Sequence, residues 1–78
     1  MDISIDYEIV EEIAVISEKK TKTGKITKEV NLISFMGKEP KYDIRVWKYD
    51  GEEKRMLKGI TLNKEECEKL KEVMRDLK

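Results

Sequence analysis

The sequence has no histidine, one cysteine and one proline. Without histidine, zinc sites of the usual Cys/His types are ruled out, as is a histidine general base or triad. The single cysteine, Cys67, excludes an intramolecular disulfide. No apolar run approaches the roughly 20 residues of a membrane span, and no signal peptide is visible at the N-terminus. A soluble, cytoplasmic protein without membrane partners is expected, at the nucleoid if the source is bacterial. Apolar residues are also scarce, 38% against 44% charged in 78 residues. Such a chain makes one domain near the size limit for a single hydrophobic core, so self-association is expected.

Net charge is zero but unevenly spread. Residues 1–18 carry six acids and no base, residues 19–48 carry nine bases against three acids, and the rest balances. The middle of the chain is therefore a basic segment. A neutral total does not forbid binding a polyanion, because local potential governs encounter.

Residues 1–6 read as a flexible lead-in and residues 7–78 as the domain. Tyr7 to Ser17 is rich in Ile and Val and reads as a strand. Its alternation breaks at Glu11 and Glu12, where a β-bulge would restore the phase. A helix is the alternative, from the spacing of Ile9, Ile13 and Ile16. The Ile-Ala-Val-Ile block and the turn after it favour the strand. Lys19 to Lys28 holds Lys19, Lys20, Lys22, Lys25 and Lys28 with no acid, and Gly24 marks a turn tip. It reads either as a solvated hairpin loop or as a basic arm that grips phosphates. Thr27 to Met36 is a second strand, with Val30 and Leu32 on one face and Asn31, Ile33 and Phe35 on the other.

Lys41 to Tyr49 is a third strand. Alternation sorts Tyr42, Ile44 and Val46 onto one face, expected to be the core. Lys41, Asp43, Arg45, Trp47 and Tyr49 take the other. That second set mixes rings with cations, as a surface that stacks bases and holds phosphates needs. The plainer reading is that Trp47 and Tyr49 cover a sheet rim or bury themselves in a dimer. Asp50-Gly51 is a hairpin signal, and a fourth strand should begin near Lys54, irregular over Arg55 to Lys58 and kinked at Gly59. Asn63 to Leu77 is a helix, with Asn63 and Glu66 in a capping-box pattern. Cys67, Leu70, Val73, Met74 and Leu77 form its apolar stripe, expected to serve the core or a two-fold interface.

Three pieces, YEIVEEIAVIS, EVNLISFMGKEPKYDIRVW and KGITLNKEECEKLK, resemble the bacterial YdbC branch of the positive-cofactor-four family of transcription coactivators. The resemblance runs from about Tyr7 to Leu77. It implies an α+β fold: a curved four-stranded antiparallel sheet followed by one C-terminal helix, forming a homodimer that binds single-stranded DNA. The matching positions are Phe35, Arg45, Trp47 and Lys58. Phe35 stands where YdbC relatives tend to have tryptophan, and eukaryotic relatives place their own tryptophan one position beyond Trp47.

The residue chemistry agrees with that implication. Phe35 and Trp47, with Tyr49 beside them, can supply stacking platforms. Arg45 can stack or fork onto a phosphate, and the five lysines of the 19–28 segment, with Lys41, can extend the phosphate track. The expected partner is single-stranded DNA, or RNA, with a transcription-machinery protein as a further partner. The rival function is a protein-interaction module docking through Phe35, Trp47 and Ile33. An enzyme is disfavoured, because Glu11/Glu12 and Glu52/Glu53 fit exposed strand and turn charges and no Gly-rich phosphate loop is present. No cofactor and no metal are expected.

Overall fold

A computed structural model describes residues 6–77. Except for Asp6, the expected lead-in lies outside the described residues. Four strands, β1 (Tyr7–Lys20), β2 (Gly24–Phe35), β3 (Lys41–Asp50) and β4 (Glu53–Leu62), precede one helix, α1 (Lys64–Arg75). The strands form a single antiparallel sheet in the order β1-β2-β3-β4. This is the ββββα architecture that the sequence implied.

The central ladder between β2 and β3 is unbroken from Gly24↔Asp50 to Ile33↔Lys41. Both outer ladders are interrupted. β1 slips against β2 three times, leaving Val10, Ile13 and Ile16 as extra residues. The slips at Val10 and Ile13 flank the Glu11–Glu12 break, near which a bulge was expected, and the strand reading of β1 holds in place of the helix. On β4, Leu57 and Lys58 together oppose Val46, which is the irregularity expected over Arg55 to Lys58. Each bulge bends its strand and adds local twist.

The bending decides which face is inside. Paired residues share a face, so Tyr7, Phe35, Ile33, Asn31, Glu29, Thr27, Asp43, Arg45, Trp47, Tyr49 and Lys54 lie together. On this face Trp47, Ile33, Asn31, Thr27, Asp43 and Glu29 are buried, although no second layer among the described residues covers them. The sheet curls around them. Tyr7 and Trp47 measure the curl. Their ladder partners Phe35 and Thr27 are eight residues apart on β2, roughly 27 Å in a flat strand. The two rings nevertheless meet, with centroids 5.7 Å apart.

The expected core face is therefore the outer one. Tyr42, Ile44 and Val46 are only half-buried, and Ile60 beside Ile44 is exposed. Alternation had separated the two sets correctly but assigned inside and outside the wrong way round. Curvature buries the set whose polar members can satisfy one another.

α1 begins with the expected capping box: Glu66 N–H donates to Asn63 Oδ1 at 2.8 Å, and Asn63 N–H donates to Glu66 Oε1 at 2.9 Å. The helix touches only β3 and β4. Cys67 and Leu70 are half-buried, while Val73, Met74 and Leu77 are exposed. Two glycines allow close approaches. A Cβ on Gly59 would lie 2.6 Å from the Arg45 side chain, which crosses above it. A Cβ on Gly24 would collide with the Tyr49 carbonyl oxygen. Gly24 thus opens β2, and the turn tip falls just before it.

Gly24→Ala should destabilise the fold by about 2–3 kcal/mol, an overpacking cost against rigid backbone. Urea denaturation checks this: a midpoint equal to that of wild type would mean the β2–β3 ladder yields freely there.

Candidate nucleic-acid interface

The hairpin end of the sheet gathers most of the expected binding residues. The turn between β1 and β2 and the turn between β3 and β4 lie side by side there, where Gly51 N–H donates to the Thr23 carbonyl at 3.3 Å. Next to them, a cross-strand row on the inner face reads Lys20, Lys25, Tyr49, Lys54. Its counterpart on the outer face reads Lys19, Ile26, Lys48, Arg55. One step further in, Lys28 pairs with Val46, opposite the bulge that carries Lys58. Cations thus line this end of the sheet on both faces. Lys48, Lys54 and Arg55 were not picked out from the sequence. The two-residue loop is Gly51-Glu52, one position beyond the Asp50-Gly51 pair read from the sequence, and it sets Lys54 opposite Tyr49.

The cations divide by partner. Lys25 pairs with Glu18 at 3.2 Å, Lys54 with Glu29 at 3.2 Å, and Arg45 with Asp43 at 2.8 Å. Lys19, Lys20, Lys22, Lys28, Lys48 and Lys58 join no ion pair among the described residues. These are the side chains with charge to spare for phosphates. Arg45 is otherwise committed. Its Nε donates to both Asp43 oxygens, its Nη2 to Oδ2, and its Nη1 to the Leu57 carbonyl at 2.8 Å. It fastens β3 to the β4 bulge, so the fork expected for a phosphate is used within the fold.

Trp47 is also differently placed from expectation. It is 0% exposed. The Tyr7 ring contacts it, and the Lys54 ammonium sits 4.6 Å from its ring centroid. In the single chain the indole is a core residue, because the curl closes over it. Tyr49 is half-buried, with Lys25 and Lys54 over its ring at 4.8 and 5.1 Å. Phe35 shares the inner face but pairs with Tyr7 at the other end of β2, and Lys41 lies near that end too. The aromatic neighbour of Trp47 is therefore Tyr7, not Phe35.

Glu29, which the sequence showed only as the start of a strand, is the hub of the inner face. Its carboxylate is 3% exposed as a residue and accepts from Thr27 Oγ1 (2.6 Å), Tyr49 Oη (2.7 Å), Lys54 Nζ (3.2 Å) and Asn31 Nδ2 (3.3 Å). Burial alone would raise its pKa. The hydrogen bonds from Thr27, Tyr49, Asn31 and Lys54 outweigh burial and lower it from 4.5 to about 2. Burial raises the Tyr49 phenol above its ordinary value, with the bond to Glu29 adding to it against the pull of Lys54. Burial pulls the Lys54 ammonium down, but Tyr49 and Glu29 overcome this and raise it. Among the described residues no group of His, Cys, Asp and Glu is arranged to hold a metal ion.

Residues 19–73 match the family model of the transcriptional coactivator p15 (PC4). That span covers more than half of the chain, from the end of β1 through most of α1. The chain belongs to this family. It is a family of single-stranded-DNA-binding coactivators, and the matched span contains the whole basic hairpin end. No curated protein matches the chain.

The Glu29 carboxyl carries a pH signature. Its folded pKa is depressed, so its contribution is full above the unfolded value of about 4.5 and is lost as pH falls towards about 2. The contribution is on the order of 3 kcal/mol. Glu29→Gln should lower stability near neutral pH, and its deficit should shrink as pH drops through that window. Urea titrations of both proteins at several pH values test this. A deficit that stays constant with pH would remove Glu29 from the hub.

Proposed function

We propose that the chain is a homodimeric, largely sequence-tolerant single-stranded DNA binder of the bacterial YdbC branch, acting by binding rather than catalysis. Besides family membership, the observation that carries this reading is the hairpin end. There, the ammonium groups of Lys19, Lys20, Lys22 and Lys48, which join no ion pair among the described residues, lie around the row that carries Tyr49 and its ion-paired neighbours Lys25 and Lys54, with Trp47 just behind it. Cations along a backbone path beside aromatic rings are what a single-strand site requires. The phosphates would run past Lys19, Lys20 and Lys22 at the tip and Lys28, Lys48 and Lys58 on the outer face. The bases would turn towards the inner row. The one helix is amphipathic and mixed in charge, a poor fit for reading a duplex groove.

Fluorescence anisotropy with single-stranded DNA, single-stranded RNA and duplex of equal length tests the reading. Binding to the single strand should be strongest and nearly uniform among sequences. Replacing Lys19, Lys20 and Lys22 with glutamine should weaken it for every sequence and flatten the salt dependence by roughly 0.7 per lost phosphate contact. An unchanged slope would make the tip a solvated turn.

The homodimer rests on apolar surface that a lone chain leaves wet. Val73, Met74 and Leu77 of the helical stripe are exposed, as are Ile60 and Leu57 on β4 and Val10, Ile13 and Ile16 on β1. Among the described residues only Ile33 and Trp47 are buried apolar residues, too few for a stable lone domain of this size. Sedimentation equilibrium should find a dimer at micromolar concentration, and Met74→Glu should dissociate or unfold it. A folded wild-type monomer would end this part of the proposal.

A further inference from the structure

The position that a base would take on Trp47 is already filled. Among the described residues Tyr7 supplies the one aromatic ring in contact with the indole, tilted at 52°. Tyr7 is 36% exposed while Trp47 is 0% exposed, so the tyrosine lies as the outer layer over the tryptophan. Beneath it the indole N–H has no hydrogen-bond acceptor among the described residues. A buried donor left unmade costs free energy, and so the closed arrangement is held below its full stability.

The end of β1 that carries Tyr7 is lightly held. β1 is an edge strand with β2 as its one neighbour. Only Tyr7↔Phe35, Glu8↔Ser34 and Ile9↔Ile33 lie between its start and the first slip at Val10. Just ahead of them, the Met36 N–H donates to the Asp6 carbonyl at 2.8 Å. A bulge is a natural pivot, because the ladder is already interrupted there. The segment also carries Asp6 and Glu8, both exposed. An arriving polyanion repels these carboxylates while it is drawn to the lysines beside Trp47.

We propose that Tyr7 is a built-in cover over Trp47 which a nucleobase must displace, the start of β1 swinging out about Val10. This rests on the single-strand reading above and adds to it an intramolecular competitor. Bases reach Tyr49 first. The indole becomes a second platform only after the cover moves, so the free protein binds more weakly than one already open. Tyr7 lies outside the span that matches the family model.

Trp47 is the sole tryptophan, so indole emission reports the site directly. Wild type and Tyr7→Ala are compared by oligothymidine anisotropy and by acrylamide quenching of the indole. Tyr7→Ala should bind about three- to tenfold more tightly, the population factor that a closed state withholds. Its free indole should be more accessible to acrylamide. In wild type, hydrogen exchange over residues 7–9 should accelerate when oligothymidine is added, an arm that needs no variant to fold. Strand binding with unchanged exchange at residues 7–9, an unresponsive indole and equal affinities would overturn the cover and leave the binding function standing. No strand binding by either protein would overturn both.

Discussion

Val10, Ile13 and Ile16 make β1 longer than the stretch of β2 it pairs with. A longer edge strand can stay in register only by bending, and the sheet bends with it. This constraint governs the rest of the molecule. A flat four-stranded sheet with one short helix would leave one face largely wet. The curl instead lets the inner face bury itself, bringing Tyr7 onto Trp47 and excluding water from Glu29 and Asp43.

A face buried in this way is chosen by its chemistry as much as by its apolarity. Two carboxylates lie at the bottom of the curl, and each is matched. Asp43 is met by the Arg45 guanidinium, and Glu29 by a hydroxyl, a phenol, an amide and an ammonium. Removing one partner of such a set would leave a buried charge exposed to its full desolvation cost. The same commitments tie up Arg45 and Lys54 on the inner face. The cations left for a polyanion are those at the hairpin tip and on the outer face.

The elements were legible in the sequence because their signals are local. The capping box at Asn63 and Glu66, the Asp50-Gly51 turn and the alternation of residues 41–49 each act within a few residues. Which face of the sheet is inside was not legible. Alternation gives two sets, and Tyr42, Ile44 and Val46 are the more apolar one. The outcome turned on three bulges spaced along another strand, whose combined bend exists only once β1 and β2 are paired. The site divided in the same way. The lysines of residues 19–28 were visible as a cluster. The commitment of Arg45 to Asp43 and Leu57, and the presence of Tyr7 over Trp47, depend on contacts between distant parts of the chain.

The positions of the bulges bear on a hazard common to every open sheet. An open sheet has two free edges, and a long apolar edge strand invites other chains to add to it and grow into fibrils. In β1, Tyr7 to Ser17 has the composition of such a strand. Here both edge ladders are broken, β1 three times and β4 once, while the central ladder is regular. A second molecule approaching either edge meets a backbone whose hydrogen-bonding groups repeatedly fall out of step. Along β1 it also meets the repelling charges of Glu8, Glu11, Glu12 and Glu18. The irregularity that bends the sheet thus protects its borders from templated aggregation.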